Sequence, residues 1–182
     1  MKKLIFLYFF FQIFMGFAQN IYLHCGQLID AEKGEVFTEK TIVVSGNKIK
    51  SIENGYIASD DPNDTVVDLK SKTVMPGLID MHVHLENEYN PARYMDQFTA
   101  NEADVAFKSV NYAEITLLAG FTTVRDLGGT GVNIALRNAI NNNTIVGPRI
   151  FTAGKAIATT GGHADPTNGR KKLLMGDPGP EQ

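Results

Sequence analysis

The residues best suited to chemistry by type and spacing lie in one short stretch, Asp80-Met81-His82-Val83-His84, entered through Pro76-Gly77. It closes an apolar run that begins at Val74. In a strand alternate side chains share a face, so His82 and His84 are expected to point the same way, with Asp80 on that face one step deeper. Neutral imidazole is the commonest protein ligand for divalent zinc, and two on one face can chelate a single ion. An isolated pair of this kind is weak evidence, because short His pairs arise by chance; its context raises it. Asp80 reads either as a carboxylate that orients a ligating imidazole or as a buried structural hydrogen-bond acceptor.

Other polar residues carry two readings each. Arg125 and Asp126 end a β-rich run and are expected to form an ion pair with each other or across strands, or else to line a site. His163 lies in the loop Thr159-Thr160-Gly161-Gly162-His163-Ala164-Asp165. Loops of this kind carry substrate contacts, so His163 is a candidate for touching a substrate or leaving group, against a solvated loop histidine. His24 reads either as a ligand or, beside Tyr22 and Leu23, as a residue on a strand surface, and the surface is expected. Cys25 is the only cysteine, which excludes an internal disulfide, and it reads as a buried strand residue. Arg170-Lys171-Lys172 reads as a solvated run.

The elements that must position these groups change character along the chain. From Ile21 to about Thr73 the pattern is short strands, at 21–29, 40–45, 48–52 and 65–69. Ala31-Glu32-Lys33-Gly34 forms a turn, and Gly46-Asn47 a two-residue hairpin of the type with glycine first. After Pro76 strands alternate with helices, which implies parallel pairing. Thr99-Ala100-Asn101-Glu102 matches a helix-capping box. Ala103, Ala106, Phe107, Val110, Ala113, Leu117 and Leu118 then recur at helical spacing, and Gly120 is placed to end that helix. Strands are expected at 121–126 and 149–154, with a shorter helix from about Val132 to Ile140.

The chain has 182 residues, 43% of them hydrophobic, and a net charge of -3. That is a globular composition with no basic stripe, so nucleic acid is not an expected partner. Residues 1–18 are expected to be a signal peptide: a basic start at Lys2-Lys3, an apolar stretch from Leu4 to Phe17, and small residues at Gly16 and Ala18 before Gln19. The stretch falls short of the ~20 residues needed to span a bilayer. Export to a periplasmic or extracellular location follows, with no stable membrane anchor after cleavage; an uncleaved tether is the alternative.

Three blocks in order resemble one family. Val74 to His84 looks like the opening barrel strand of the amidohydrolase superfamily of metal-dependent hydrolases. Phe121 to Gly129 resembles the second strand and its loop. Gly147 to Asp165 resembles the third strand and loop of the branch related to imidazolonepropionase and the prolidase-like Xaa-Pro dipeptidases. The resemblance implies an α/β fold, the N-terminal part of a (β/α)8 TIM-type barrel preceded by a small β-sandwich segment. The expected domains are 19–73 for the β-sandwich half and 74–182 for the first three β/α units. It further implies that His82 and His84 hold zinc, as one of one or two divalent ions, with water activated to attack an amide-type carbon. A small-molecule or peptide-like substrate, a cyclic amide or dipeptide, is the expected partner. The family's later lysine, histidines and catalytic carboxylate have no counterpart here, and Lys155 lies too early to serve as that lysine. A barrel of this type needs roughly 250 residues. The chain therefore reads as the N-terminal part of a longer enzyme, inactive as it stands; the alternative is a non-catalytic remnant or exported binding module.

Overall fold

The computed structural model describes residues 19–91 and 93–165, with the backbone alone for Arg93, Tyr94 and Gln97. The expected signal peptide, the run Arg170-Lys171-Lys172 and the end of the expected second domain lie outside the described residues. The chain divides into two compact units, Met1–Pro76 and Gly77–Gln182. Among the described residues, no helix is long and apolar enough to cross a membrane.

In the first unit, β1 (Asn20–Asp30), β2 (Glu35–Ser45), β3 (Lys48–Asn54) and β4 (Thr65–Val74) form one sheet in the order β3-β2-β1-β4. β1 runs antiparallel to β2 and parallel to β4. β2 and β4 are longer than their apolar segments. Pairing with β1 carries the ladder through Asp30↔Glu35 and out to Leu28↔Val74, so partner strands override weak local preference. Gly46 opens the β2–β3 hairpin at φ +59°, as a turn with glycine first requires. Gly26 sits where the β1–β4 register shifts, and a Cβ there would run into the Lys70 carbonyl. The core gathers Cys25, Leu28 and Ile42. Burial raises the pKa of the Cys25 thiol above its usual value, opposed by a backbone hydrogen bond with Ile42.

His24 departs from its expected place on the surface. It is buried, with Nε2 2.8 Å from the Ile57 carbonyl and its ring against Tyr56. The segment after β3 folds over it because Thr41 Oγ1 donates to the Gly55 carbonyl and accepts from the Ile57 N–H.

The second unit runs β5 (Leu78–Val83), α1 (Arg93–Thr99), α2 (Glu102–Leu118), β6 (Phe121–Asp126), α3 (Val132–Asn141) and β7 (Arg149–Thr152). The strands form a parallel sheet in the order β5-β6-β7. α2 packs on β6 and α3, and α3 on β7. Their shared core is Leu85, Ala113, Val124, Leu136 and Ile150. The helical pattern of α2 is broader than the stripe it buries. Phe107 and Leu118 are each 78% exposed. At ~100° per residue they lie roughly 120–140° around the helix from the buried Ala113. On the sheet, Ile79, Met81 and Phe151 are exposed.

The capping box is present but two residues later than expected. Asn101 accepts from the N–H groups of Ala103 and Asp104, and Asp104 Oδ2 accepts from the Asn101 N–H. Thr99 belongs to the preceding helix and donates to the Met95 carbonyl. Asn101→Ala is expected to lower stability by about 1 kcal/mol, and Thr99→Ala by less than about 0.5, in urea unfolding. Cys25 in the folded protein is expected to resist thiol reagents at neutral pH, since its raised pKa leaves little thiolate, and to react on unfolding.

Candidate functional site

His82 is the last residue but one of β5, and His84 follows the strand's end. Both are exposed. Their rings lie 5.4 Å apart between centroids at an interplanar angle of 71°. His84 Nδ1 is 2.7 Å from the carbonyl oxygen of Gly128. A carbonyl only accepts, so Nδ1 carries the proton and donates; in the neutral ring the free lone pair is then on Nε2. That is the state a metal-binding imidazole needs.

Asp80 Oδ1 accepts from the backbone N–H of His82 at 2.9 Å, so it holds the main chain rather than the ring. Simple alternation does not carry from Asp80 to His82. Asp80 pairs with Val124 and Val83 with Asp126, three steps on β5 against two on β6. The extra residue is a bulge, a device that re-aims side chains at strand ends. Asp80 is thus level with the buried, helix-side Val124 instead of sharing an uninterrupted face with the histidines.

Arg125 and Asp126 form no ion pair among the described residues. Consecutive strand residues face opposite ways, and here Arg125 is exposed while Asp126 is fully buried. Asp126 Oδ2 accepts from the Leu85 N–H at 3.0 Å; Oδ1 accepts from the Gly128 N–H at 3.1 Å and from Asn133 Nδ2 at 3.0 Å. Asn133 Nδ2 also donates to the Gly154 carbonyl at 2.9 Å. Its Oδ1 is buried without a hydrogen-bond partner among the described residues. Turning the amide over would set that oxygen against two acceptors, so the orientation is fixed.

Glu86 completes this buried polar group. Its carboxylate accepts from the N–H groups of Thr130 at 2.6 Å and Asn133 at 2.7 Å. The N-cap of α3 is Gly131, which offers no side chain, so Glu86 caps the helix from a distant loop. Gly129 passes so close to Glu86 that a Cβ would collide with the carboxylate.

His163 is exposed in the turn closed by the Asp165 N–H on the Gly162 carbonyl at 3.0 Å. Among the described residues it makes no hydrogen bond or ring contact with His82 or His84. Lys155 is exposed three residues past the end of β7, which stops at Thr152 and not at residue 154. Among the described residues, no group of three or more His, Cys, Asp or Glu side chains could hold a metal ion. The two imidazoles fit as part of a donor set, one of them already fixed in the required tautomer.

A family model described as the amidohydrolase family matches residues 73–177, from the end of β4 through every described element of the second unit. The chain belongs to the amidohydrolase family. Among its relatives is ochratoxinase of Aspergillus niger, 30% identical over 157 residues, covering 81% of this chain and 31% of the relative. A Xaa-Pro dipeptidase crystal structure with methionine in its active site is 45% identical, with a TM-score of 0.76, covering 84% of this chain and 37% of that one. A prolidase solved with N-methylphosphonate-L-proline is 34% identical, with a TM-score of 0.68, covering 80% of this chain and 34% of that one. The chain thus spans about a third of the length of the relatives it matches. These neighbours give the amidohydrolase a TIM-barrel-type fold. The superfamily generally uses divalent metals, often zinc.

Glu86, Gly128 and Asn133 carried no signal in the sequence. Their contacts join residues 44 and 47 positions apart, and the sole local hint is a helix start with glycine where a side-chain cap would stand. Glu86→Gln puts an amide N–H2 against one of the two backbone donors. It is expected to cost about 1–3 kcal/mol in urea unfolding, with α3 losing amide protection first.

Proposed function

We propose that the protein carrying this chain is an exported, metal-dependent hydrolase of a carbon–nitrogen bond, with His82 and His84 among the ligands of a zinc ion. The observation that carries the reading is the His84–Gly128 hydrogen bond, which leaves Nε2 of an exposed imidazole as a fixed donor beside a second exposed histidine. When bound, such a metal supplies a Lewis acid that activates water and polarises an amide carbonyl. The chain's own residues prepare that position: Gly128 fixes the tautomer of His84, and Asp80 ties the main chain of His82. The remaining donors, and a second metal if one binds, would come from strands beyond those described.

Within this reading residues 19–73 are half of a β-sandwich and 74–182 the first three β/α units of a barrel completed by further chain. His163, in its exposed loop, would meet the substrate or leaving group. The substrate is peptide-like or a cyclic amide, and the kinship with a Xaa-Pro dipeptidase and a prolidase favours dipeptides ending in proline as the first to try. Residues 1–18 would direct export and leave Gln19 as the mature N-terminus, which mass spectrometry of the exported protein would read.

The test is metal content and hydrolysis of Xaa-Pro dipeptides by the complete protein. His82→Ala and His84→Ala are each expected to strip zinc on dialysis and to lower kcat/KM by at least ~1000-fold, with the fold intact by circular dichroism. Full turnover after chelation and dialysis would sink the proposal.

A further inference from the structure

We infer that Asp126, which points away from the candidate metal position, is the positioning residue that fixes the tautomer and direction of His84. This rests on the proposed metal site and adds to it a residue outside the ligand set. The geometry is a closed loop of contacts. The ring of His84 donates to the Gly128 carbonyl. The N–H of that same Gly128 is held by Asp126 Oδ1, and the N–H of Leu85, next after His84, is held by Asp126 Oδ2. One carboxylate therefore grips the main chain at both ends of the imidazole–carbonyl bond.

Asp126 itself cannot swing. It is fully buried, Asn133 Nδ2 donates to it, and the same amide nitrogen is anchored on the Gly154 carbonyl after β7. Gly128 has no room to shift either, because a Cβ there would come within 2.6 Å of Ala156 Cβ and 2.9 Å of its backbone. The Gly129 N–H adds a bond to the Gly154 carbonyl at 2.8 Å. The carbonyl that accepts from His84 is thus fixed on both sides, by the Gly129 N–H of its own peptide unit on the Gly154 carbonyl and, across the Gly128 Cα, by Asp126 on the Gly128 N–H, a group outside the proposed ligand set. Groups of this kind commonly change metal affinity 10–100-fold when removed.

The test is Asp126→Asn in the complete protein. The amide offers one acceptor oxygen where the carboxylate has two, so either Leu85 or Gly128 meets an N–H2 group and loses its hold. Two readouts are taken. In metal-free protein at about pH 8, above the ordinary imidazole range near 6.5, imidazole 15N shifts report the tautomer of His84. The native protein is expected to hold the Nδ1–H form, and the variant a mixture of both forms. Zinc titration is expected to give a Kd raised about 10–100-fold. A folded variant with the native tautomer and a zinc Kd within about twofold of native would overturn the assignment, as would an Nε2–H tautomer in the native protein.

If the variant does not fold, native hydrogen exchange decides. The Leu85 and Gly128 amides, bound to one carboxylate, are expected to be protected and to open together; separate opening, or exchange at the rate of free surface amides, overturns the inference. The tautomer is read without metal, so a native protein that keeps the Nδ1–H form yet binds no zinc refutes the proposed function and leaves the positioning role standing.

Discussion

Two carboxylates buried with no ion-pair partner among the described residues set the terms for the second unit. Asp126 is fully buried and Glu86 is 5% exposed. A carboxylate in that position must find hydrogen-bond donors, since leaving it bare costs several kcal/mol. Both find them mainly in backbone N–H groups, from Leu85, Gly128, Thr130 and Asn133. Main-chain donors cannot be repositioned one at a time as side chains can. The loops after β5 and β6 are therefore held in a single conformation relative to one another. The glycines follow from the same constraint: at 128 and 129 the chain passes too close to Ala156 and Glu86 to carry a Cβ.

The placement of these carboxylates explains why an exposed pair of histidines can still be well defined. Lower in the sheet the helix-side packing is apolar, with Val124 and Ile150 against Leu136 and Ala113. At the C-terminal ends of the strands it turns polar, with Asp126 closing β6 and Glu86 two residues beyond His84. Apolar packing resists compression but is weakly directional, whereas hydrogen bonds fix direction. A ligating imidazole needs direction, and that is supplied just where the strands end, as expected for barrels whose chemistry sits at that face. The unpaired Oδ1 of Asn133 is the local cost, about 1–3 kcal/mol, set against two bonds from its Nδ2.

The sequence made legible whatever repeats over short distances. The strand at β1, the Gly46 hairpin, the ends of α3 and the His-x-His pair could all be read from neighbours a few residues apart. Errors arose where a distant partner decided. Thr99 and Asn101 both suit an N-cap, and only the three-dimensional path shows that Thr99 ends a preceding helix. His24 looked like a surface residue until the 55–57 segment covered it. Arg125 and Asp126 suggested an ion pair by adjacency, although strand geometry sends neighbours to opposite faces. The bulge in β5 was invisible because it is a mismatch of register with β6, a property of two strands and not of one. Glu86 shows the limit best. Nothing near it in sequence needs a cap, and the helix it caps begins at residue 132.

How far the site is formed within this stretch of chain follows from where its supports originate. Tetrahedral zinc takes four donors, of which the described residues would supply two imidazoles under the proposed function. Yet every contact that orients those two comes from the first two strands of the barrel-type sheet and the turns around them: Asp80, Leu85, Asp126, Gly128 and Asn133. Their backing adds the Gly154 carbonyl and Ala156 from the segment just after β7. The orientation of the two imidazoles is thus a local property of β5, β6, the start of α3 and the segment after β7. Under the proposed function, further ligands would meet a pair already aimed, which would remove part of the entropic cost of assembling the whole set at once.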